Sequence, residues 1–134
     1  MTGIQGTPVV MYDAGALIAA ESAGHRIWAA HRKAIREGRK PLVPSVVLAQ
    51  TWRDPRKQVL LSRFLQGCED IDVGEVAKAA GELCGQAGTS DVVDAMVVSL
   101  ALLRGAVVYT SDPDDIRHLA EAAGPKTSVL IRRV

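Results

Sequence analysis

Asp91-Val-Val-Asp94-Ala-Met-Val-Val-Ser-Leu-Ala-Leu-Leu-Arg104-Gly105-Ala-Val-Val-Tyr-Thr110-Ser-Asp112-Pro113 holds a helix, its stop, a strand and the start of the next helix in one run. Thr89-Ser90 opens the first helix, Val92–Leu103 forms its apolar body, and Gly105 ends it. Ala106–Thr110 is a short continuous apolar run, the pattern of a strand covered on both faces. Asp112 then stands where another helix begins, with Pro113 in its first turn.

The same alternation runs outward in both directions. Val9–Tyr12 reads as a buried strand, followed by Asp13 and a helix-prone Ala14–Ala20 that Gly24 breaks. His25–Glu37 carries Ile27, Trp28, Ala30, Ala34 and Ile35 at helical spacing and stops at Gly38. Pro41–Pro44 is a short strand; Ser45 caps a helix over Val46–Trp52; Asp54-Pro55 opens another that runs through Phe64 to Gly67. Glu69–Val73 is a strand, Glu75–Gln86 an Ala-rich helix, Ile116–Ala123 a helix stopped by Gly124-Pro125, and Ser128–Ile131 a last strand. Strands alternating with helices from end to end predict an α/β fold, a mostly parallel sheet with helices on both faces. There is no internal repeat, low-complexity tract or linker, so residues 1–134 are expected to form a single domain.

The 134 residues are 48% hydrophobic and 4% aromatic, which predicts an aliphatic core. A formal net charge of +1 does not announce a nucleic-acid binder, but the charges are segregated. Residues 25–63 carry Arg26, Arg32, Lys33, Arg36, Arg39, Lys40, Arg53, Arg56, Lys57 and Arg63 against only Glu37 and Asp54, whereas residues 69–121 hold most of the carboxylates. An acidic centre beside a basic flank suits metal-dependent cleavage of a phosphodiester, although a solvated helix face explains the flank equally well. Cys68 and Cys84 make neither a CxxC pair nor a disulfide framework. Met1–Pro8 lacks the basic and apolar regions of a signal peptide, and no apolar stretch reaches membrane-spanning length. These features lead us to expect a cytoplasmic protein with reduced thiols.

Four aspartates mark the junctions: Asp13, Asp91, Asp94 and Asp112. Parallel strands would gather them at one sheet edge, where open α/β sheets bind ligands. Asp13, Asp91 and Asp112 each have a simpler explanation as helix N-caps. Asp94 is different, because it repeats the charge of Asp91 at i+3 and precedes a buried run. Clustered carboxylates take up protons unless a cation sits among them, and hard oxygen donors in this number suit Mg²⁺ or Mn²⁺. His25, His31 and His118 fall on helices away from the junctions and are expected at the surface, which argues against zinc. No glycine-rich phosphate loop occurs.

Asp94-Ala-Met-Val-Val-Ser-Leu-Ala followed by Gly105-Ala-Val-Val-Tyr-Thr110-Ser-Asp112-Pro-Asp-Asp115 resembles the C-terminal signature of PIN-domain nucleases. Val9-Val-Met-Tyr-Asp13-Ala-Gly-Ala-Leu-Ile resembles their opening strand and first acid, and Pro44-Ser-Val-Val-Leu-Ala-Gln50-Thr-Trp the segment that carries their second. Within that family the chain is most similar to small bacterial VapC-like toxins of toxin–antitoxin pairs. The resemblance implies a three-layer α/β/α PIN-like fold and a metal-dependent endoribonuclease. Asp13, Asp94 and Asp112 would be its catalytic, metal-holding acids. Asp91 and Asp115, or less favourably Asp114, would add charge. Gln50 and Thr110 would orient the inner ligands, and Arg53, Arg56 and Lys57, with Arg32 and Arg36 as further candidates, would position the RNA backbone. It further implies Mg²⁺ or Mn²⁺ as cofactor, an RNA substrate with tRNA as one candidate, a small antitoxin protein and a homodimer. Trp28 and Trp52 are expected in the core, either being able to anchor an interface.

One position departs from the family pattern: Gln50 stands where the family carries Glu. That motivates a rival reading, a PIN-like domain that binds RNA or a partner without cutting. A phosphotransfer domain fits less well. A receiver wants a Lys after a late strand, where this chain has Ser111 and Asp112, and a phosphatase wants a second Asp two residues after the nucleophile, where this chain has Gly15. A non-catalytic domain with capped helices leaves the Asp91/Asp94 pair unexplained.

Overall fold

A computed structural model describes residues 8–124 and 128–134. Met1–Thr7, read above as no targeting segment, and Pro125, read as a helix stop, lie outside the described residues. Five strands, β1 (Val9–Tyr12), β2 (Leu42–Pro44), β3 (Glu69–Ile71), β4 (Ala106–Thr110) and β5 (Leu130–Arg133), form one sheet in the order β3-β2-β1-β4-β5. Every pairing is parallel, with Met11 opposite Val108 and Val107 opposite Leu130.

Among the described residues seven α-helices connect them: α1 (Ala14–Glu21), α2 (His25–Arg36), α3 (Ser45–Thr51), α4 (Val59–Gln66), α5 (Ala77–Ala87), α6 (Val92–Arg104) and α7 (Pro113–Ala122). The chain builds leftward from β1 and then rightward from it, and right-handed crossovers in opposite directions put their helices on opposite faces. Accordingly α1 packs with α2, α3 and α4, while α5, α6 and α7 pack with one another, giving three α/β/α layers. β1 and β4 are the central pair, and Met11, Tyr12 and Val108 have no exposure. Among the described residues no single helix is long and apolar enough to cross a membrane.

Several boundaries differ from the sequence reading. Asp54-Pro55 does not open α4, because Gln58 folds back. Its Oε1 accepts from the N–H groups of Arg53 (2.8 Å) and Asp54 (3.0 Å), and its Nε2 donates to Thr51 O (2.8 Å) and Glu21 (3.0 Å). Helix therefore starts only at Val59. Pro44, not Ser45, is the N-cap of α3. A 3-10 turn, Gly74–Val76, precedes α5. The last strand is Leu130–Arg133 rather than Ser128–Ile131, and as an edge strand it is mostly exposed.

The expectation for His31 is overturned. It is 3% exposed, stacked on Phe64 with ring centroids 3.9 Å apart, and its Nδ1 lies 2.9 Å from the Tyr12 hydroxyl. The reason is register: Ile27, His31 and Ala34 form the buried stripe of α2, so the basic neighbours Arg32 and Lys33 point out. His25 and His118 are exposed, as expected. Both tryptophans are half-buried, and Trp28 donates its indole N–H to Ala20 O at 2.9 Å.

Burial lowers the pKa of His31 to about 4, with Arg32 adding to the effect and a hydrogen bond to the Phe64 backbone opposing it. The folded state therefore resists a proton that the unfolded chain accepts near pH 6.5. This contribution is fully present above that pH and is lost as pH falls through 4. Replacing His31 with Gln should flatten the unfolding free energy between pH 6.5 and 4 by about 2 kcal/mol. Denaturant titrations of both proteins across that range would check it; an unchanged pH slope would refute the assignment.

Candidate active site

Two parallel strands that leave the sheet side by side in opposite directions create a crevice at their carboxyl ends. Here they are β1 and β4. Asp13 follows β1 directly, and its N–H is tied to Tyr109 O of β4 at 3.2 Å. Its carboxylate caps α1, accepting from the Ala16 N–H at 3.1 Å. At 7% exposure it is a buried acid, and burial raises its pKa, opposed by hydrogen bonds from the Thr110 hydroxyl and the backbone of Ala16 and Gly15.

Thr110, fully buried at the end of β4, links the two strand ends. Its oxygen accepts the Asp112 N–H at 2.9 Å, and its hydroxyl hydrogen goes to Asp13. Asp112 occupies the N-cap position of α7 but makes no side-chain cap bond, contrary to the capping expectation, so its carboxylate is uncommitted. The two ends can approach this closely because residue 15 has no side chain. A Cβ there would lie 2.1 Å from Ser111 Oγ and 2.8 Å from Ser111 N.

The α6 terminus supplies the other acids. Asp91 is its N-cap, accepting from the Asp94 N–H at 3.1 Å. Asp94 is half-buried, and its pKa is pushed up to about 7. Burial is the main cause; a hydrogen bond shared with Asp91 and the charges of Asp91, Asp13 and Asp115 add to it. Asp115 thus faces the cluster from α7, while its neighbour Asp114 is occupied by Arg117 at 2.9 Å. None of Asp13, Asp91, Asp94, Asp112 and Asp115 has a basic ion-pair partner among the described residues.

This is a concentration of negative charge in a partly desolvated crevice, and its oxygen donors fit a hard divalent cation. The carboxylates do not form a ready-made cage. Among the described residues no group of three or more His, Cys, Asp or Glu side chains is set to hold a metal ion. Asp13 and Asp91 each commit an oxygen to a helix N-terminus, so closing around an ion requires the free carboxylates to turn inward.

None of the remaining expected residues shares a hydrogen bond or ion pair with these acids among the described residues. Gln50 is exposed near the end of α3 and shares no hydrogen bond with the acids among the described residues. Arg53, Arg56 and Lys57 are exposed in the α3–α4 connection. The Gln58–Glu21 bond places that connection at the C-terminal end of α1, a helix length or roughly 12 Å from Asp13. The Arg53 guanidinium donates to Ala49 O and Trp52 O, and Arg56 pairs with Asp54 at 3.4 Å. The importance of Gly15 escaped the sequence reading; a glycine in the first turn after a strand-end acid was the available signal. Both cysteines are free.

No protein-family model matches the chain, and no curated protein matches its sequence. Solved structures do share its fold. A chain of the crystal structure of VapBC2 from Rickettsia felis, bound to a DNA fragment from their promoter, superposes with a TM-score of 0.69 over 94% of this chain and 98% of that one at 17% identity. PAE2754 from Pyrobaculum aerophilum gives a TM-score of 0.61 over 92% of this chain and 83% of that one at 18% identity. The likeness is one of fold.

Proposed function

We propose that this chain is a divalent-metal-dependent endoribonuclease and the toxin of a toxin–antitoxin pair. The observation that carries the reading is the convergence of Asp13, Asp94 and Asp112 from three separate junctions on the β1/β4 crevice, with no basic ion-pair partner among the described residues. The fold shared with VapBC2 adds support and is the reason to expect a small antitoxin partner.

Asp13, Asp94 and Asp112 would hold Mg²⁺ or Mn²⁺, with Asp91 and Asp115 completing the surrounding charge. When bound, the ion supplies charge neutralisation at the phosphate and a more acidic attacking water. The chain's own residues do the positioning. Thr110 fixes the Asp13 carboxylate while holding the Asp112 backbone, so that both strand-end acids keep one relative placement. Asp91 pins the start of α6 and with it the height of Asp94. Arg53, Arg56 and Lys57 offer charge to the RNA backbone outside the crevice, as a homodimer in the cytoplasm would use it on each subunit.

The exposed amide of Gln50 favours a second reading, a PIN-like domain that binds RNA or a partner without cutting it. One experiment separates the two: incubate a pool of structured RNAs with the protein in Mg²⁺, in Mn²⁺ and in EDTA, alongside Gln50→Glu. Cleavage by the wild type that EDTA stops supports the nuclease. A carboxylate at position 50 should tighten Mn²⁺ binding by about tenfold and raise cleavage in step. Cleavage by the Glu variant alone would establish the binding-only reading for the native chain.

A further inference from the structure

The N-terminal half of α2 and the face of α4 leave a cleft of about 390 Å³ between them, lined by Ala23, His25, Trp28, Arg32, Leu60 and Arg63. His25, Trp28 and Arg32 fall at i, i+3 and i+7 on α2, and Leu60 and Arg63 at i, i+3 on α4, so two helix faces present them together. His25, Arg32 and Arg63 are exposed, and none of them has a carboxylate partner among the described residues. Trp28 is half-buried. Its indole N–H is fixed on Ala20 O, and its ring packs edge-on against Phe64 and His31, so it is held rigidly from behind. The Arg32 guanidinium sits over that ring, 6.0 Å from its centroid. Ala23 at the cleft's edge holds a left-handed backbone, φ 60°, in the tight α1–α2 link. A non-glycine residue there is strained, and such strain gathers at functional sites.

We infer that this cleft binds single-stranded RNA, a base against the Trp28–Arg32 pair and the flanking phosphates on Arg63 and His25. An aromatic platform bordered by unpaired cations is the chemistry that single-stranded nucleic acid needs. An acidic peptide would use the cations but leaves the fixed indole without a purpose. The location fits a substrate path. Ala23 and Gln58 both mark the C-terminal end of α1, so the cleft and the exposed Arg53, Arg56 and Lys57 border one end of that helix while Asp13 caps the other. A strand lying along α1 would run from the basic end to the acids. The inference deepens the nuclease reading and takes its substrate from it.

The test uses a short labelled oligouridine in EDTA, which prevents cleavage, with polyglutamate as the competing anion. In a Trp52→Phe background Trp28 is the one tryptophan, so its fluorescence should be quenched as oligouridine binds. Arg32→Gln combined with Arg63→Gln should weaken binding about tenfold and lower the salt slope of log K by about 0.7, for the one phosphate contact that Arg63 makes. Unchanged affinity and slope in that double variant, no quenching of Trp28, or polyglutamate bound as tightly as RNA would each overturn the inference. Cleavage of the RNA pool in Mn²⁺ is scored in parallel. A wild type that cuts while the double variant binds normally removes the cleft and keeps the nuclease. A wild type that binds through the cleft but does not cut removes the nuclease and keeps the cleft.

Discussion

Asp94→Asn should stop metal-dependent RNA cleavage and at the same time stabilise the metal-free protein. Most inactivating substitutions in a buried site destabilise, so the combination is diagnostic. The Asp94 carboxyl has its pKa raised from an ordinary 3.8 to about 7 by burial and by Asp91, Asp13 and Asp115. Between those values the folded state holds a proton that the unfolded chain releases. Stability therefore falls as pH rises from 3.8 to 7, and above 7 the whole penalty is present. An amide carries no such penalty, and its N–H can donate to Asp91 as the protonated acid does.

Water at the open crevice screens part of the effect, leaving an expected gain of about 1–2 kcal/mol at pH 8 in EDTA and none at pH 3.5. Outer-shell substitutions at metal sites already lower activity ten- to a hundredfold, so loss of a direct ligand should exceed about a hundredfold. Thermal unfolding in EDTA at the two pH values, with and without Mn²⁺, reads the first part, and Mn²⁺ should stabilise wild type more than the variant. A variant that loses both stability and cleavage would make Asp94 a structural residue; one that cuts normally would remove the nuclease mechanism.

What made the acid edge legible was its placement at the ends of β1 and β4. Continuous apolar runs bounded by Asp13 and by Gly105 can be little other than buried strands, and both strands have the bounds read from the sequence, Val9–Tyr12 and Ala106–Thr110. Parallel pairing then brings their C-terminal residues together whatever the loops do. Where a side chain competes with the backbone, the reading failed. Asp54-Pro55 has every mark of a helix start, yet Gln58 takes the Arg53 and Asp54 N–H groups for itself and delays the helix to Val59. Asp112 likewise looks like a cap, and it stands at the N-cap position of α7, but its carboxylate accepts no bond from that helix while its N–H goes to the buried Thr110 hydroxyl. His31 was misread for a different reason. Its place on a helix away from the junctions suggested the surface, while the spacing from Ile27 and to Ala34 puts it on the dry face. The cleft at Trp28 was beyond reach, because it depends on how α2 and α4 meet, and no local pattern encodes that.

Gly15→Ala reverses the sign that helix propensity assigns to it. In an ordinary helix the change would stabilise by about 1 kcal/mol. Here the added methyl would sit 2.1 Å from Ser111 Oγ, 2.7 Å from Ser111 Cβ and 2.8 Å from Ser111 N. The hydroxyl can rotate away, but the backbone nitrogen cannot, so α1 must move off the end of β4. Overpacking of this kind costs about 1–3 kcal/mol, which outweighs the propensity gain. The larger consequence is chemical. Asp13 is the residue immediately before α1, and Thr110 and Asp112 flank Ser111, so the displacement opens the bridge that Thr110 makes between the two strand-end acids. A misplacement of about 1 Å in a catalytic constellation can lower the rate about a hundredfold, and that loss is expected here with the fold retained. Ser111→Gly in the same chain removes the two side-chain clashes and leaves the one to nitrogen, so it should restore part of the stability and part of the cleavage together. Measuring unfolding free energy and RNA cleavage for the two single variants and the pair gives the coupling directly. Should Gly15→Ala prove more stable than wild type and equally active, the close approach of α1 to β4 would not be what holds the acids in place.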